Sequence, residues 1–196
     1  MNKIRYGLEN VHYAKVTKGE GGRIEYGKPV HYPGAVSLEL SPETTDPVKY
    51  YADNKVYHSA PGSNQGYSGT LELTSGDAKD AFDKDIMGFV EDGHGNIIEN
   101  ENAKPSAFAL MWQFEGDESG MRYVAYNCTA TRTALSGKTT ENGAITPATE
   151  SYNITALPAE DTGDVTLKCP KKSSDYDTFF STVVLKSAVA SVSSGS

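Results

Sequence analysis

The groups in this 196-residue chain that could do chemistry are four histidines, two cysteines and 26 acidic residues. His12, His31, His58 and His94 stand 19, 27 and 36 residues apart, so the chain holds no HxH or HExxH pair. They read as surface or turn histidines, because a metal site built on one element needs ligands within one strand or helix turn of each other. The stretch EDGHGN at 91–96 has glycines and one acid pair but lacks the alternating acids of a calcium loop. KGEGG at 18–22 lacks a phosphate-loop lysine and a strand–helix setting, and it reads as a hairpin turn. There is no GxSxG nucleophile elbow. Cys128 and Cys169 each sit in an alternating apolar run, which predicts two buried free thiols in preference to a disulfide or a nucleophile. Carboxylate pairs can always be drawn from 26 acids and carry no weight without geometry. The sequons NCT (127–129) and NIT (153–155) fall in expected strands and read as chance. The expectation is therefore a chain with no catalytic residues, no metal and no cofactor.

One stretch remains open. YYADNKVYHS, 50–59, sets aromatics and a histidine around Ala52-Asp53-Asn54-Lys55. Such groups suit either a reactive cleft or a surface that adheres to another protein.

The elements that would position these groups are mostly strands. Period-two alternation runs through 35–40, 68–74, 107–115, 123–131, 151–157 and 164–169, and glycine-rich turns join about eight to ten strands. In 107–115, Phe108, Leu110, Trp112 and Phe114 share one face. The other face, Ala107, Ala109, Met111 and Gln113, is scarcely polar, so that strand is expected to be covered on both sides. In 123–131 the alternation groups Val124, Tyr126, Cys128 and Ala130 against Tyr123, Ala125, Asn127 and Thr129. One helix is expected over about 76–90: Phe82, Ile86, Phe89 and Val90 form its stripe, Asp80, Asp83 and Lys84 its wet side, and Asp77 its cap. A second short helix is possible at 174–180. The segments 41–47, 91–105 and 136–150 read as loops, the first because its two prolines exclude a central strand. The chain thus reads as mainly β, a sandwich or barrel of two packed sheets with one flanking helix. Residues 1–186 form a single domain and 187–196 a flexible Ser-rich tail.

Composition narrows the partners. Eighteen basic residues against 26 acids give a net charge of −8, which disfavours tight phosphate binding. Twelve tyrosines against six phenylalanines suit surfaces that are half apolar and half wet. The start lacks the apolar core of a signal peptide, and no apolar run approaches a membrane span, so synthesis in the cytoplasm without membrane insertion is expected.

Taken in order, GAVSLELSPE, YYADNKVY, GYSGTLELT, DKDIMGF, AKPSAFALMWQFEGD, YNCTATR and DYDTFFSTVVL resemble the major tail protein family of long-tailed, non-contractile bacteriophages of Gram-positive hosts. The resemblance runs from about residue 4 to 186. It implies a structural virion protein: hexameric rings stack into a tail tube through which DNA leaves the capsid. Sheets of six subunits would join edge to edge around the lumen, and a long inter-subunit loop or hairpin would reach the next ring. Tape measure protein and DNA would pass inside without specific binding, and other tail proteins would cap the ends. Some relatives append an immunoglobulin-like domain, whereas here only the 187–196 stretch follows. On this reading Tyr50, Tyr51, Asp53, Lys55 and Tyr57 form a subunit interface, against the alternative that Tyr51 or Tyr57 packs in its own core. Two other functions stay open: a carbohydrate-binding β-sandwich using coplanar exposed aromatics, and a tube-like tail-completion or baseplate protein.

Overall fold

The computed structural model describes residues 6–74, 76–135 and 149–186. In chain order the strands are β1 (Leu8–Lys18), β2 (Ile24–Tyr26), β3 (Val30–His31), β4 (Ala35–Thr44), β5 (Val48–Ala52), β6 (Lys55–Ala60) and β7 (Asn64–Thr74). Helix α1 (Asp77–Phe82) follows, continued by a wider π-type turn over Asp83–Met87. Then come β8 (Val90–Glu91), β9 (Ile97–Ile98), β10 (Phe108–Phe114), β11 (Arg122–Arg132), β12 (Thr149–Leu157) and β13 (Thr166–Cys169). The expected alternating runs are all strands. The count is higher than read from the sequence because β2, β3, β8 and β9 are too short to show a period.

The main sheet has the order β2-β1-β10-β11-β12-β7-β4, and its pairs are antiparallel. β11 is shared between two wings: Arg122–Ala125 pairs with β13 and Asn127–Arg132 with β12. The wings fold over one core, in which Leu71, Leu73, Tyr152 and Ile154 meet Phe108, Leu110 and Trp112. β10 is covered on both faces, as its composition predicts. Ala109 and Met111 join a second cluster with Val124, Tyr126 and Phe179 on the outer side.

β11 does not keep the alternation expected of it. Phe108 pairs with Cys128 but Leu110 with Ala125, so between these pairs two residues of β11, Tyr126 and Asn127, oppose one of β10, Ala109. The bulge reverses the faces: Tyr123 and Ala125 share the main core with Cys128 and Ala130, while Val124 and Tyr126 face the second cluster.

The helix is shorter than its apolar stripe. Phe82 and Ile86 are buried as expected, but the helical path ends at Gly88, whose φ of 78° is left-handed. A Cβ there would lie 2.8 Å from the Lys104 carbonyl oxygen. Val90 is consequently an exposed strand residue. The residue before the helix is Gly76, and Asp77 is its first residue and not its cap. Segment 41–47 is also revised. β4 runs through Pro42 to Thr44, because β4 is the last strand of the sheet and an edge accommodates proline. Segment 91–105 contains the small β8–β9 hairpin, and 174–180 is a chain of tight turns that stops short of a helix. Residues 136–148 and the 187–196 tail lie outside the described residues.

The helix and the β5–β6 hairpin mark opposite ends of the sandwich. Phe82 packs edge-on against Tyr13, Phe108 and Tyr152 at one end. At the other, Phe114 and Trp112 meet Leu40 and Tyr67 around a mouth of about 270 Å³. Tyr67 lies three residues from Asn64, where the chain returns from the hairpin.

Candidate assembly surface

The tyrosine-rich stretch 50–59 lies on an arm formed by β5 and β6. β5 and β6 pair with each other and with no other described strand. Below them Thr45 and Ser63 join through backbone and side chains, so the arm continues the β4–β7 pair outward. Its tip is a two-residue turn: Asp53 and Asn54 have φ of 49° and 59°, and Ala52 pairs with Lys55. Two central residues with positive φ give the type I′ twist that suits a tight hairpin, and Asp and Asn tolerate it.

Every side chain from Val48 to Ser59 is exposed. Tyr50, Tyr51 and Tyr57 are 60%, 68% and 82% exposed, so the subunit's own core holds none of them. Val48 and Val56 add further uncovered apolar surface. Tyr50 faces His58 across the arm with ring centroids 6.2 Å apart. The ion pairs of the described residues include none between Asp53 and Lys55.

A carbohydrate platform needs coplanar aromatics that face solvent. Trp112 and Tyr123 are nearly parallel, 10° apart, but they stack on each other and are buried. Tyr50 and Tyr51 are successive residues of one strand and point to opposite faces of the arm.

A second surface went unread in the sequence. The outer side of the β11-β12-β7-β4 wing carries rows of small polar residues. One row is Thr131, Asn153, Thr70 and Glu39; the next is Thr129, Thr155, Ser68 and Ser41; a third is Ser151, Glu72 and Ser37. These rows hold no lysine or arginine. Glu72 accepts hydrogen bonds from Thr149 and Ser37, which hold its carboxyl below the ordinary value. Glu43 accepts one from Ser68. Beyond these rows β4 presents an edge that no other described strand covers. The alternation in β7 and β12 shows that each strand has a polar face. Only the register shows that the faces align.

The titratable groups inside the protein fasten the fold. Tyr152 donates to Asp83 and Tyr13 to Asp85, which ties the helical segment to the sheets. Lys79 Nζ lies 2.6 Å from Asp83 and 3.3 Å from Glu150. Asp83 is buried, contrary to its expected place on the wet side of the helix. Burial raises the tyrosines Tyr13 and Tyr152 well above their ordinary value, with Asp85 and Asp83 adding to it. Burial also pushes the Cys128 thiol up to about 12, and both cysteines are free. An inert thiol is what such a site produces. Asp92 spends its carboxylate on His94 and Asn96 within its own loop, and its acidity rises accordingly. Among the described residues no three His, Cys, Asp or Glu side chains converge as metal ligands, and no helix is long and apolar enough to cross a membrane.

Comparison with known proteins adds the following. The sequence model described as phage tail tube protein matches residues 34–194. No curated protein matches the chain in sequence. Among solved structures, the anti-feeding prophage cap, a tube terminating cap, is similar at 16% identity and a TM-score of 0.42, over 87% of this chain and 95% of that one. The sheath/tube terminator of an extracellular contractile injection system is similar at 11% identity and a TM-score of 0.43, over 86% and 99%.

Proposed function

The chain belongs to the phage tail tube protein family, a structural and non-enzymatic component of the virion, and from that premise we propose that six copies close into a ring and that rings stack into the tube of a long, non-contractile tail. The non-contractile type and the ring of six rest on the sequence resemblance. The observation that carries the reading is the polar face of the β11-β12-β7-β4 wing beside the open edge of β4. An open edge invites pairing with the next subunit, so wings joined edge to edge would turn one continuous face inward. A duplex that must move needs a wall that offers no cations. Lysine or arginine there would release counterions and arrest it, whereas hydroxyls, amides and a few carboxylates do not. Glu39 and Glu72 repel phosphate only weakly at a distance, since screening acts within about 10 Å at 0.1 M salt.

On this reading the arm is the inter-ring element, with Tyr50, Tyr51 and Tyr57 as anchors and Asp53 and Lys55 as polar contacts at its tip. Tape measure protein and DNA would occupy the lumen in turn, and other tail proteins would close the ends. Negative-stain electron microscopy of concentrated protein tests the reading. The expected outcome is rings or tubes with a central hole. Rings that never stack would move the chain to a tail-completion or baseplate role, and monomers at every concentration would remove the assembly reading.

A further inference from the structure

The geometry points to a specific receptor for the arm: the β8–β9 hairpin at the opposite end of a second copy. This rests on the stacking reading above and names the contact that would produce it.

Three observations converge. The first is position. The arm leaves the end of the sandwich marked by Tyr67 and Asn64, whereas β8–β9 lies at the helix end, where Phe89 and Glu99 both engage Arg132. Arg132 is in turn the register partner of Tyr152, beneath Phe82. Two complementary patches at opposite ends of one molecule generate an open head-to-tail stack and not a closed dimer.

The second is apolar surface. Val90 and Ile98 are direct cross-strand partners, and they are 53% and 43% exposed. The paired valine and isoleucine thus leave about half of their surface uncovered by their own subunit. The arm carries the matching uncovered side chains, Val56 and Tyr57 among them.

The third is charge. Residues 48–60 hold two lysines and one aspartate, a net +1, in a chain of net −8. Residues 90–101 hold four acids, Glu91, Asp92, Glu99 and Glu101, with no lysine or arginine, a net −4. Lys84 and Arg132 offset two of these at Glu91 and Glu99, which leaves the hairpin net negative. Lys49 and Lys55 of an incoming arm therefore meet favourable potential there, and opposite signs at the two ends favour correct docking over random contact.

The test is disulfide trapping between two different variants. Cys128 and Cys169 are buried, so engineered exposed cysteines dominate the reaction. Tyr57→Cys protein is mixed with Ile98→Cys protein, assembled and oxidised. A control mixture pairs Tyr57→Cys with Leu185→Cys, which is exposed and lies outside the β4 edge. The expected result is a cross-linked dimer at least tenfold more abundant with Ile98→Cys than with Leu185→Cys. Tubes that form but show equal or reversed yields would overturn this contact while leaving the tube reading intact. Failure of the unsubstituted protein to form rings or tubes would overturn the tube reading and this contact with it. A second measurement uses charge: Lys55→Glu shortens the stacks, and adding Glu101→Lys restores them. Restoration by Glu39→Lys instead would also overturn the assignment.

Discussion

Tyr152 and Asp83 lie 69 residues apart in sequence, and the tyrosine hydroxyl donates to the carboxylate at 2.7 Å inside the protein. The pair joins the inner face of β12 to the first residue of the π-type turn, where Lys79 supplies the counter-charge. A buried carboxylate is tolerated only when charge and hydrogen bonds both satisfy it.

Asp83→Ala removes that satisfaction from Lys79 and Tyr152 together. It is expected to destabilise the subunit by about 3–5 kcal/mol, the range for breaking a buried pair from one side. Tyr152→Phe removes one hydrogen bond and should cost about 1–2 kcal/mol. Urea unfolding of both variants checks the order. A smaller loss for Asp83→Ala than for Tyr152→Phe would show that Glu150 alone satisfies Lys79.

The alkaline limit of stability follows from the buried tyrosines. Burial raises Tyr13, Tyr32, Tyr126 and Tyr152 above the ordinary value of 10.0. Burial lowers Lys79, but Asp83 and Glu150 outweigh it and raise the amine above 10.5. The folded state holds these protons more tightly than the unfolded chain. Their contribution is therefore intact below pH 10 and is lost as pH rises above it. Tyrosinate absorbance should show one fraction of tyrosines ionising only together with the loss of the circular dichroism signal. Complete ionisation before unfolding would contradict the burial of these rings.

The sequence spacing puts Phe82 and Val90 on one apolar stripe, and the structure separates them. Phe82 is buried among Tyr13, Tyr32, Phe108 and Tyr152, so Phe82→Ala should cost about 3–5 kcal/mol. Val90→Ala at an exposed strand position should stay within about 0.5 kcal/mol. Thermal melts of the two variants distinguish a helix that ends at Gly88 from one that continues through Val90.

The tip of the arm depends on left-handed backbone at Asn54. Asn54→Val places a β-branched residue there, with a penalty of about 1–2 kcal/mol. The arm pairs only with itself among the described strands, so the melting temperature of the body should not change while tube yield falls. A lowered melting temperature would make the arm part of the subunit's own fold.

The polar wing predicts a gain of binding on adding charge. Tubes carrying Thr70→Lys with Glu39→Lys should retain DNA in a salt-dependent manner, with affinity falling steeply as salt rises. Wild-type tubes should retain none under the same conditions. Equal retention by both would place this face away from the lumen.

Local pattern determined much of this protein. Strands, the Phe82–Ile86 helical stripe, the doubly covered β10 and the two buried thiols all follow from side-chain types at spacings of two to four residues. The composition of the tyrosine-rich stretch 50–59 suits a half-wet surface, and the structure leaves its tyrosines exposed. Tertiary structure alone decided the rest. The bulge that reverses the faces of β11 exists only opposite β10. Asp83 changed from an expected solvent group to a buried one because Lys79 and a tyrosine from β12 meet it. The polar rows from Thr131 to Glu39 exist only once four strands separated by long connections take up register. The opposition of the arm and the β8–β9 hairpin likewise depends on which end of the sandwich each strand reaches. The reason is common to all four: period and propensity act between neighbours in sequence, whereas register, edge and end are set by pairing between residues tens of positions apart.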